Sequence, residues 1–200
     1  MSIVLETARL RLRRFRCDDV DLLVELDSDP EVMRYITGGK PSSREEIRDV
    51  VMPRLLGYYA RWPHYGTFVA QRRDAGEFLG WFALRPHQGH PDDQPELGYR
   101  LRRAAWGKGY ATEGSLALVD WAFSALGARR VIAETMSVNE RSRRVMHRAG
   151  LRLVRTWHEQ WDDPIAGSEE GEVEYAIERA EWLAEHRRGC ATTGGGRDAR

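Results

Sequence analysis

One stretch of the sequence, residues 96–114, constrains the fold more than any other. It reads ELGYRLRRAAWGKGYATEG. Alternating apolar residues predict a strand, Gly107-Lys108-Gly109 predicts a tight turn, and the apolar periodicity that follows predicts a helix from Tyr110 to Leu126. The first amides of a helix lack intrahelical acceptors and carry partial positive charge, and glycines let the backbone approach an anion closely. The stretch is therefore a candidate phosphate site, although a plain tight turn explains the same residues.

The composition restricts the chain to a few classes of protein. Its 200 residues are 42% hydrophobic and 31% charged, with a formal net charge of zero. This balance predicts one globular domain with a sizeable core and does not favour a nucleic-acid or anionic-membrane partner. Because no apolar run is long enough for a membrane span and the first residues lack a signal peptide's apolar core, we expect a cytoplasmic protein. Cys17 and Cys190 have no ligand residues at metal spacing, so neither a disulfide framework nor a metal site is expected.

The remaining pattern predicts alternating strands and helices within one domain. Period-two alternation or short apolar runs predict seven strands, at residues 9–15, 66–72, 77–84, 96–101, 130–135, 151–157 and 172–177. Helices are predicted after Asp18 with an end at Asp29-Pro30, from Ser43 to Trp62 with a kink or break at Pro53, from Tyr110, from Asn139 to Ala149, and around residues 181–187. We expect a single domain over residues 1–188 and a disordered Gly/Thr-rich tail over residues 189–200.

Six short motifs follow the same order as these predicted elements. They are residues 7–13 (TARLRLR), 29–36 (DPEVMRYI), 96–99 (ELGY), 106–113 (WGKGYATE), 139–142 (NERS) and 149–151 (AGL). In their order and spacing they resemble the GCN5-related N-acetyltransferase (GNAT) family, and within it the ribosomal-protein alanine acetyltransferase branch (RimJ and RimL type), over residues 6–183. The resemblance implies an α/β (α+β) fold with one mixed, mostly antiparallel sheet of about seven strands flanked by four to five helices.

The resemblance also implies that acetyl-CoA is the acyl donor, without a metal, and that the glycine turn holds its pyrophosphate. By position, the implied binding residues are Leu101, Arg102, Arg103, Trp106, Gly107, Lys108, Gly109, Tyr110, Ala111, Thr112, Asn139, Ser142 and Arg143. Asn139 and Ser142 would lie beside the pantetheine arm. The family usually has Gln or Arg three residues before the first glycine, where this chain has Ala104. Because backbone amides do most of the anion binding, we expect this departure to be mild.

Two residues are candidates for proton transfer on the strength of the resemblance. Glu96 matches the acidic position of the Glu-x-Gly-Tyr motif and is the candidate general base. A glutamate needs burial or a water relay to act as a base at neutral pH, and a surface carboxylate is the alternative interpretation. Ser142 resembles the serine that bonds the sulfur in the closer branch, but it is equally an ordinary residue of a helix's first turn. Many family members have a tyrosine where this chain has Met146, so the general acid is open.

The predicted function is acetyl transfer from acetyl-CoA directly to a primary amine through a ternary complex. The amine is either a protein N-terminal α-amine or a small-molecule amine, and no nucleophile for a covalent intermediate lies near the turn. The alternative is a sensor that binds CoA or acyl-CoA without turnover, for which Ala104 and Met146 are the supporting features. Nucleic-acid and membrane partners are not expected, and a homodimer is the commonest assembly for such a chain.

Overall fold

The computed structural model describes residues 3–87 and 89–193, and these residues form one mixed sheet of eight strands. The strands are β1 (Ile3–Glu6), β2 (Leu10–Arg14), β3 (Gly66–Arg72), β4 (Phe78–Pro86), β5 (Pro95–Leu101), β6 (Arg130–Met136), β7 (Arg152–Trp157) and β8 (Glu172–Glu178). Their order is β1-β2-β3-β4-β5-β6-β8-β7, and all neighbouring pairs are antiparallel except β5 and β6. The predicted fold class is confirmed, with one strand more than the seven expected.

Helices cover both faces of this sheet. They are α1 (Val20–Asp27), α2 (Pro30–Met33), α3 (Arg44–Glu46), α4 (Met52–Arg61), α5 (Tyr110–Ser124), α6 (Glu140–Arg148) and α7 (Arg179–Thr193). A π turn over Ile47–Val51 joins α3 to α4, and 3₁₀ turns lie at Cys17–Asp19, Arg103–Ala105 and Ser168–Glu170. Of the helices in the described ranges, none combines the length and the apolar character that a membrane span needs.

The alternation of side chains along the strands divides the core between the two faces. On one face, Phe82 of β4 belongs to a buried cluster that includes Leu118 of α5 and Met146 of α6. On the other face, Val69 of β3 belongs to a cluster that includes residues of α1 and α4. Because successive residues of a strand point to opposite faces, neighbouring residues of β5 reach different sets of helices.

β5 and β6 separate soon after they meet. Their parallel register contains one pair, Glu96 with Ile132, although β5 continues to Leu101 and β6 continues to Met136. Beyond Glu96, the facing edges of the two strands are therefore not paired with each other. The sheet is open between β5 and β6 on the side of their carboxyl ends.

Two elements near the start of the chain were not predicted. β1 has four residues and an irregular register with β2, and its Ile3 is 47% exposed, so it lacks the alternation by which strands are predicted. Pro30 was expected only to end the first helix, but it also begins α2. Asp29 caps α2 by accepting a hydrogen bond from the Glu31 N–H at 3.0 Å. A proline is well tolerated at this first position, where its missing N–H would have no helical partner.

The expected interruption near Pro53 is present. The helical region that follows Ser43 consists of two short α-helices, α3 and α4, and the wider π turn over Ile47–Val51 separates them directly before Met52 and Pro53. α7 continues to Thr193, beyond the expected start of a disordered tail at residue 189. Its Trp182 packs on Phe123, with ring centroids 5.5 Å apart, and so anchors the helix. Gly189 lowers helix propensity without preventing a helix. The rest of the expected tail, residues 194–200, lies outside the described residues.

Candidate active site

The glycine turn leads directly into the N-terminus of α5. Gly107 and Gly109 have φ angles of 72° and 82°, which other residues rarely adopt, and Gly109 is the N-cap of α5. The first N–H groups of this fifteen-residue helix have no acceptor within it. A Cβ at Gly109 would lie 3.3 Å from Nη2 of Arg9, so a guanidinium stands beside the turn. Backbone amides, the helix dipole and one cation are thus directed at the same place, as an anion site requires.

Arg9 reaches the turn from the residues before β2 and was not among the predicted site residues. Its Nε donates to Glu113 Oε2 at 2.6 Å, and its Nη1 donates to the Lys108 carbonyl at 3.0 Å. Glu113 also accepts hydrogen bonds from Thr7 Oγ1 at 2.5 Å and from the Arg9 N–H at 2.9 Å. Burial acts to raise the pKa of Glu113, but the hydrogen bonds from Thr7 and Arg9 lower it overall. Glu113 therefore ties the start of β2 to the first turn of α5.

A close contact fixes the height of α5 above the sheet. A Cβ at Gly114 would lie 2.3 Å from Cζ of Phe82, a side chain of β4 with no exposed surface. Carbon atoms in contact are about 3.5–4.0 Å apart, so glycine is needed for this approach. The glycine thereby holds the first turns of α5, and the anion site at their start, close to the sheet.

The predicted binding residues around the turn differ in their exposure and in their contacts. Trp106 is half-buried, donates from Nε1 to the Leu101 carbonyl at 2.8 Å, and has Arg141 of α6 over its ring at 5.1 Å. This contact joins the start of α6 to the turn. Lys108 is exposed, whereas Tyr110, Ala111 and Thr112 form the half-buried first turn of α5.

Arg102 and Arg103 are directed away from the glycine turn towards α1 and α2. Arg102 Nη2 lies 2.7 Å from Glu25 Oε1, and Arg103 Nε lies 3.4 Å from Asp29 Oδ2. These two arginines, with Ala104, help to line a cavity of about 310 Å³. Because both guanidinium groups form ion pairs with carboxylates of the chain, their contact with the cofactor stays a prediction.

The start of α6 uses its predicted residues for capping. Asn139 Oδ1 accepts from the Ser142 N–H at 3.2 Å, and its Nδ2 donates to Thr135 Oγ1 at 3.1 Å. Arg143 donates to the Tyr175 hydroxyl at 3.2 Å and, at 2.9 Å, to the backbone carbonyl of Ser137. Arg143 is therefore a structural tie between α6 and β8. The predicted N-cap role of Asn139 is confirmed.

A tyrosine that was assigned no role from the sequence links β5 to α6. The hydroxyl of Tyr99 donates to the Ser142 carbonyl at 3.0 Å and lies 2.9 Å from Ser142 Oγ. Burial raises the pKa of Tyr99 strongly, with the hydrogen bond to Ser142 opposing it weakly, so the phenol keeps its proton at neutral pH. Tyr99 thus spans the opening of the sheet and holds the side chain of Ser142. The sequence did not predict this role, because Tyr99 alternates with Leu97 and Leu101 in a pattern that is typical of core residues.

Glu96 lies on the opposite face of β5 from Tyr99. Its side chain is 15% exposed, and its Oε2 accepts from Arg85 Nε at 3.2 Å. Since Glu96 is three residues before Tyr99, strand geometry sends the two side chains to opposite faces. The two predicted catalytic residues, Glu96 and Ser142, are therefore on opposite sides of the sheet, next to the opening between β5 and β6.

Further carboxylates share the face that carries Glu96. Burial raises the pKa of Glu134 on β6; the charge of His87 opposes this, the carboxylates of Glu96 and Glu174 add to it, and Arg155 opposes it. Glu174 is 2% exposed and accepts from Arg155 Nε at 2.8 Å. This face therefore carries carboxylates paired with arginines, unlike the apolar face below α5.

A second cavity lies between two loops. It has a volume of about 490 Å³ and lies between residues 36–46 and residues 161–165. Nε1 of Trp161 is buried without a hydrogen-bond partner in the described ranges. Neither loop carried a local motif that predicts a pocket, because the cavity depends on how the loops meet. The candidate site thus has an anion-binding side at α5 and, on the other face of the sheet, the paired carboxylates around Glu96.

Comparisons with known proteins agree with this arrangement. A family model described as "Acetyltransferase (GNAT) domain" matches residues 9–152. A curated protein of Aspergillus fumigatus named "FsC-acetyl coenzyme A-N(2)-transacetylase" is 40% identical over 185 residues, which are 90% of this chain and 77% of that protein. The matched segment includes the glycine turn, Glu96 and Ser142.

Solved structures share the fold. An acetyltransferase of the GNAT family from Bacillus anthracis is 25% identical with a TM-score of 0.72, and the match covers 90% of this chain and 99% of that one. RimL, a ribosomal L7/L12 α-N-protein acetyltransferase solved with coenzyme A, is 19% identical with a TM-score of 0.73, covering 88% and 98%. At this level of identity, the likeness to RimL concerns the fold alone.

Proposed function

The chain belongs to the GNAT acetyltransferase family and is an acetyl-CoA-dependent N-acetyltransferase, and from this we propose that it transfers the acetyl group directly to a primary amine in a ternary complex. One observation carries the proposal. The sheet opens between β5 and β6, with Glu96 on one face of the opening and the Tyr99–Ser142 pair on the other. Two reactants that approach from opposite faces would meet in this opening without a covalent enzyme intermediate.

We propose that the donor is held on the α5 and α6 side. The amides of Gly107 to Thr112, the dipole of α5 and the guanidinium of Arg9 suit the pyrophosphate, because they combine backbone donors with positive charge. The unpaired edge of β5 beyond Glu96 offers backbone groups to the amides of a pantetheine arm. Arg141, which lies over Trp106 at 5.1 Å, is placed to meet further phosphate charge.

The residues around the opening supply the proton transfers. Acetyl-CoA brings an activated thioester, whose carbonyl carbon forms the new C–N bond as its C–S bond breaks. Glu96 accepts the proton that the amine loses, directly or through water. When the Tyr99 phenol donates to Ser142 Oγ instead of to the Ser142 carbonyl, it holds that hydroxyl in place, and the Ser142 hydroxyl is then free to donate its own proton in a hydrogen bond to the leaving sulfur. Tyr99 is therefore a positioning residue, and Ser142 and Glu96 are the catalytic residues of the proposal.

The absence of a tyrosine at position 146 does not favour the sensor alternative. Met146 is 2% exposed and packs in the core, where it cannot reach the opening. A phenol nevertheless reaches α6, because Tyr99 approaches Ser142 from β5. The Tyr99–Ser142 pair supports the proposal, because it offers a protonated hydroxyl that could stabilise a leaving thiolate.

We propose a small-molecule amine on carbon 2 as the acceptor. The support is the relative named as an N(2)-transacetylase, which is 40% identical to this chain. An α-amine has a pKa near 8, against about 10.4 for a lysine amine, so it needs less help from a base at neutral pH. An acceptor that is cationic before reaction is also compatible with the partly exposed carboxylates of Glu96 and Glu134. A homodimer and a cytoplasmic location stay predictions from the sequence.

The proposal is tested by binding and by thiol release. Acetyl-CoA is titrated against the intrinsic tryptophan fluorescence, to which Trp106 beside the turn should contribute. Release of free CoA is then measured with small α-amines, peptides with free N-termini, polyamines and aminoglycosides. We expect the α-amines to give the highest kcat/KM. Binding of acetyl-CoA without release by any of these amines would refute transfer to a primary amine.

Substitutions then separate the two faces. Glu96→Gln should lower kcat by about 10²- to 10⁴-fold, the usual contribution of a general base, and leave acetyl-CoA affinity nearly unchanged. It should also remove the acidic limb of the pH–rate profile. Glu45→Gln, an exposed change of the same kind on α3, is the matched control and should alter neither quantity. An unchanged kcat in Glu96→Gln would overturn the role of Glu96.

A further inference from the structure

Three side chains with metal-ligating atoms meet outside the proposed catalytic pair. His87 and His90 lie in the loop after β4, and Glu134 lies on β6. One ligand atom from each lies within 4.8 Å of those from the other two. Nε2 of His87 is 3.6 Å from Glu134 Oε2, and the two imidazole rings meet edge to face with centroids 5.2 Å apart. The three residues are named the His87 cluster below.

None of these three side chains makes a hydrogen bond to another described residue. Their ion-pair contacts are too long to be hydrogen bonds. The contact of His87 with Glu134 is 3.6 Å, and His90 Nε2 lies 3.9 Å from Glu174 Oε2. The side chains are only 27%, 18% and 22% exposed for His87, His90 and Glu134. Nδ1 of His87 is fully buried and has no partner in the described ranges. Because polar atoms removed from water are normally hydrogen-bonded, the unpaired Nδ1 of His87 in a cluster of three ligating side chains points to a ligand.

We propose that the His87 cluster binds one divalent transition-metal ion of the Zn²⁺ class. Two imidazoles and one carboxylate are ligands that Zn²⁺ accepts, with a water molecule as the fourth. At bond lengths of about 2.0–2.2 Å, tetrahedral ligand atoms lie about 3.3 Å apart. The 3.6 Å between His87 and Glu134 is close to this value, and the ligand atom of His90 lies within 4.8 Å of the other two, so His90 must move closer by up to about 1.5 Å to complete the set. Calcium and magnesium are disfavoured, because they prefer oxygen ligands.

The surroundings of the cluster suit a bound cation. Glu174 accepts short hydrogen bonds from Arg130 at 2.9 Å and Arg155 at 2.8 Å, so its carboxylate is already committed. Glu134 has longer ion pairs, 3.6 Å to His87 and 3.7 Å to Arg155, and its side chain makes no hydrogen bond to another described residue. Glu134 is thus the carboxylate that is free to become a ligand, while Glu174 is held near His90 as an outer partner.

The sequence predicted no metal site, and the reason is the distance along the chain. His87 and His90 form a spaced pair, but their third partner is on a strand beyond α5. The meeting depends on the order β4-β5-β6 in the sheet. The cluster lies on the face that carries Glu96, so a bound cation would add positive charge beside the proposed acceptor side. The proposal itself concerns metal binding and does not depend on the acceptor.

The test measures metal binding by the full chain without a polyhistidine tag. Both thiols are first removed by Cys17→Ser and Cys190→Ser, since Cys17 is exposed and could bind zinc by itself. After treatment with a chelator, Zn²⁺ is titrated in competition with a chromogenic chelator, and Co²⁺ is titrated by visible absorption. We expect one Zn²⁺ per chain and a Co²⁺ spectrum of four-coordinate intensity.

Substitutions decide whether the cluster is the site. His87→Ala, His90→Ala and Glu134→Gln should each weaken Zn²⁺ binding by at least about 10-fold, since even outer partners of a metal contribute that much. His64→Ala, an exposed histidine in another loop, is the control and should bind as the parent does. Circular dichroism confirms that each variant is folded. A parent that binds no stoichiometric Zn²⁺, or folded variants that all bind as the parent does, would overturn the proposal.

Discussion

Replacing Gly114 by alanine tests how tightly α5 is held against the sheet. The new Cβ would lie 2.3, 2.5 and 2.7 Å from three atoms of the Phe82 ring. Normal carbon contacts are about 3.5–4.0 Å, so the ring or the helix must move by about 1 Å. Phe82 has no exposed surface and packs in the larger core cluster, so it has little room to move. The strain therefore falls on the helix that carries the anion site.

The magnitude follows from two opposing effects. Alanine in place of a helical glycine stabilises by about 1 kcal/mol through helix propensity. Overpacking a filled core costs about 1–3 kcal/mol, and the short contacts to Phe82 place this case at the upper end. We expect a net loss of about 2 kcal/mol in the free energy of unfolding. With a denaturant slope of about 2 kcal/mol/M, the urea midpoint should fall by about 1 M.

Gly57→Ala is the matched control for Gly114→Ala. Gly57 is an exposed residue inside α4, and a Cβ there would meet no atom within 4 Å. Only the propensity gain applies, so its urea midpoint should rise by about 0.5 M. Acetyl-CoA affinity, measured by fluorescence, should weaken in Gly114→Ala and stay unchanged in Gly57→Ala. Equal stabilisation by both substitutions would refute the close approach of α5 to Phe82.

Three further predictions concern other contacts of the site and the fold. Tyr99→Phe removes the hydroxyl that holds Ser142. If that hydrogen bond contributes about 1.4 kcal/mol, kcat should fall by about 10-fold and the affinity for acetyl-CoA should not change. An unchanged kcat would exclude the positioning role. Asp19→Ala removes the carboxylate to which the buried Arg13 donates at 2.6 and 2.8 Å, so the free energy of unfolding measured in urea should fall by about 3–5 kcal/mol. A loss below about 1 kcal/mol would contradict this. Glu113 has a lowered pKa when folded, so its stabilisation is complete above the unfolded value of about 4.3 and disappears as the pH falls through the folded value. The stability difference between the native chain and Glu113→Gln should accordingly vanish in acid, and a difference independent of pH would argue against it.

The donor side of the site could be predicted from the sequence because its signals are local. Gly107 and Gly109 precede a helix by the spacing that a phosphate turn needs, and both have the positive φ that makes glycine necessary. Asn139 precedes a helix at capping distance, and its side chain accepts from the Ser142 N–H. Each of these features depends on residues within a few positions of one another.

Other features of the site could not be predicted because their partners are distant in the chain. Arg9 and Glu113 are 104 residues apart, and only the fold brings them together at the turn. The same holds for the His87 cluster, which joins a loop to a strand beyond α5. Two helical segments were not predicted, α2 from Pro30 and the part of α7 after residue 189, because proline and glycine weaken helices without forbidding them.

The parity of β5 explains why the two faces of the proposed reaction can be served from one strand. Leu97, Tyr99 and Leu101 alternate as a core stripe, and Tyr99 does pack with Phe82 in the core, with ring centroids 6.2 Å apart. Its hydroxyl nevertheless extends beyond the apolar part of the ring to Ser142, so a core position also serves the site. Glu96, at an odd spacing from Tyr99, must then lie on the other face. A base on one face and a hydroxyl pair on the other can act on the same bond only where the sheet is open. The opening exists because the parallel pairing of β5 and β6 ends at Glu96, a property of two strands that no single motif encodes.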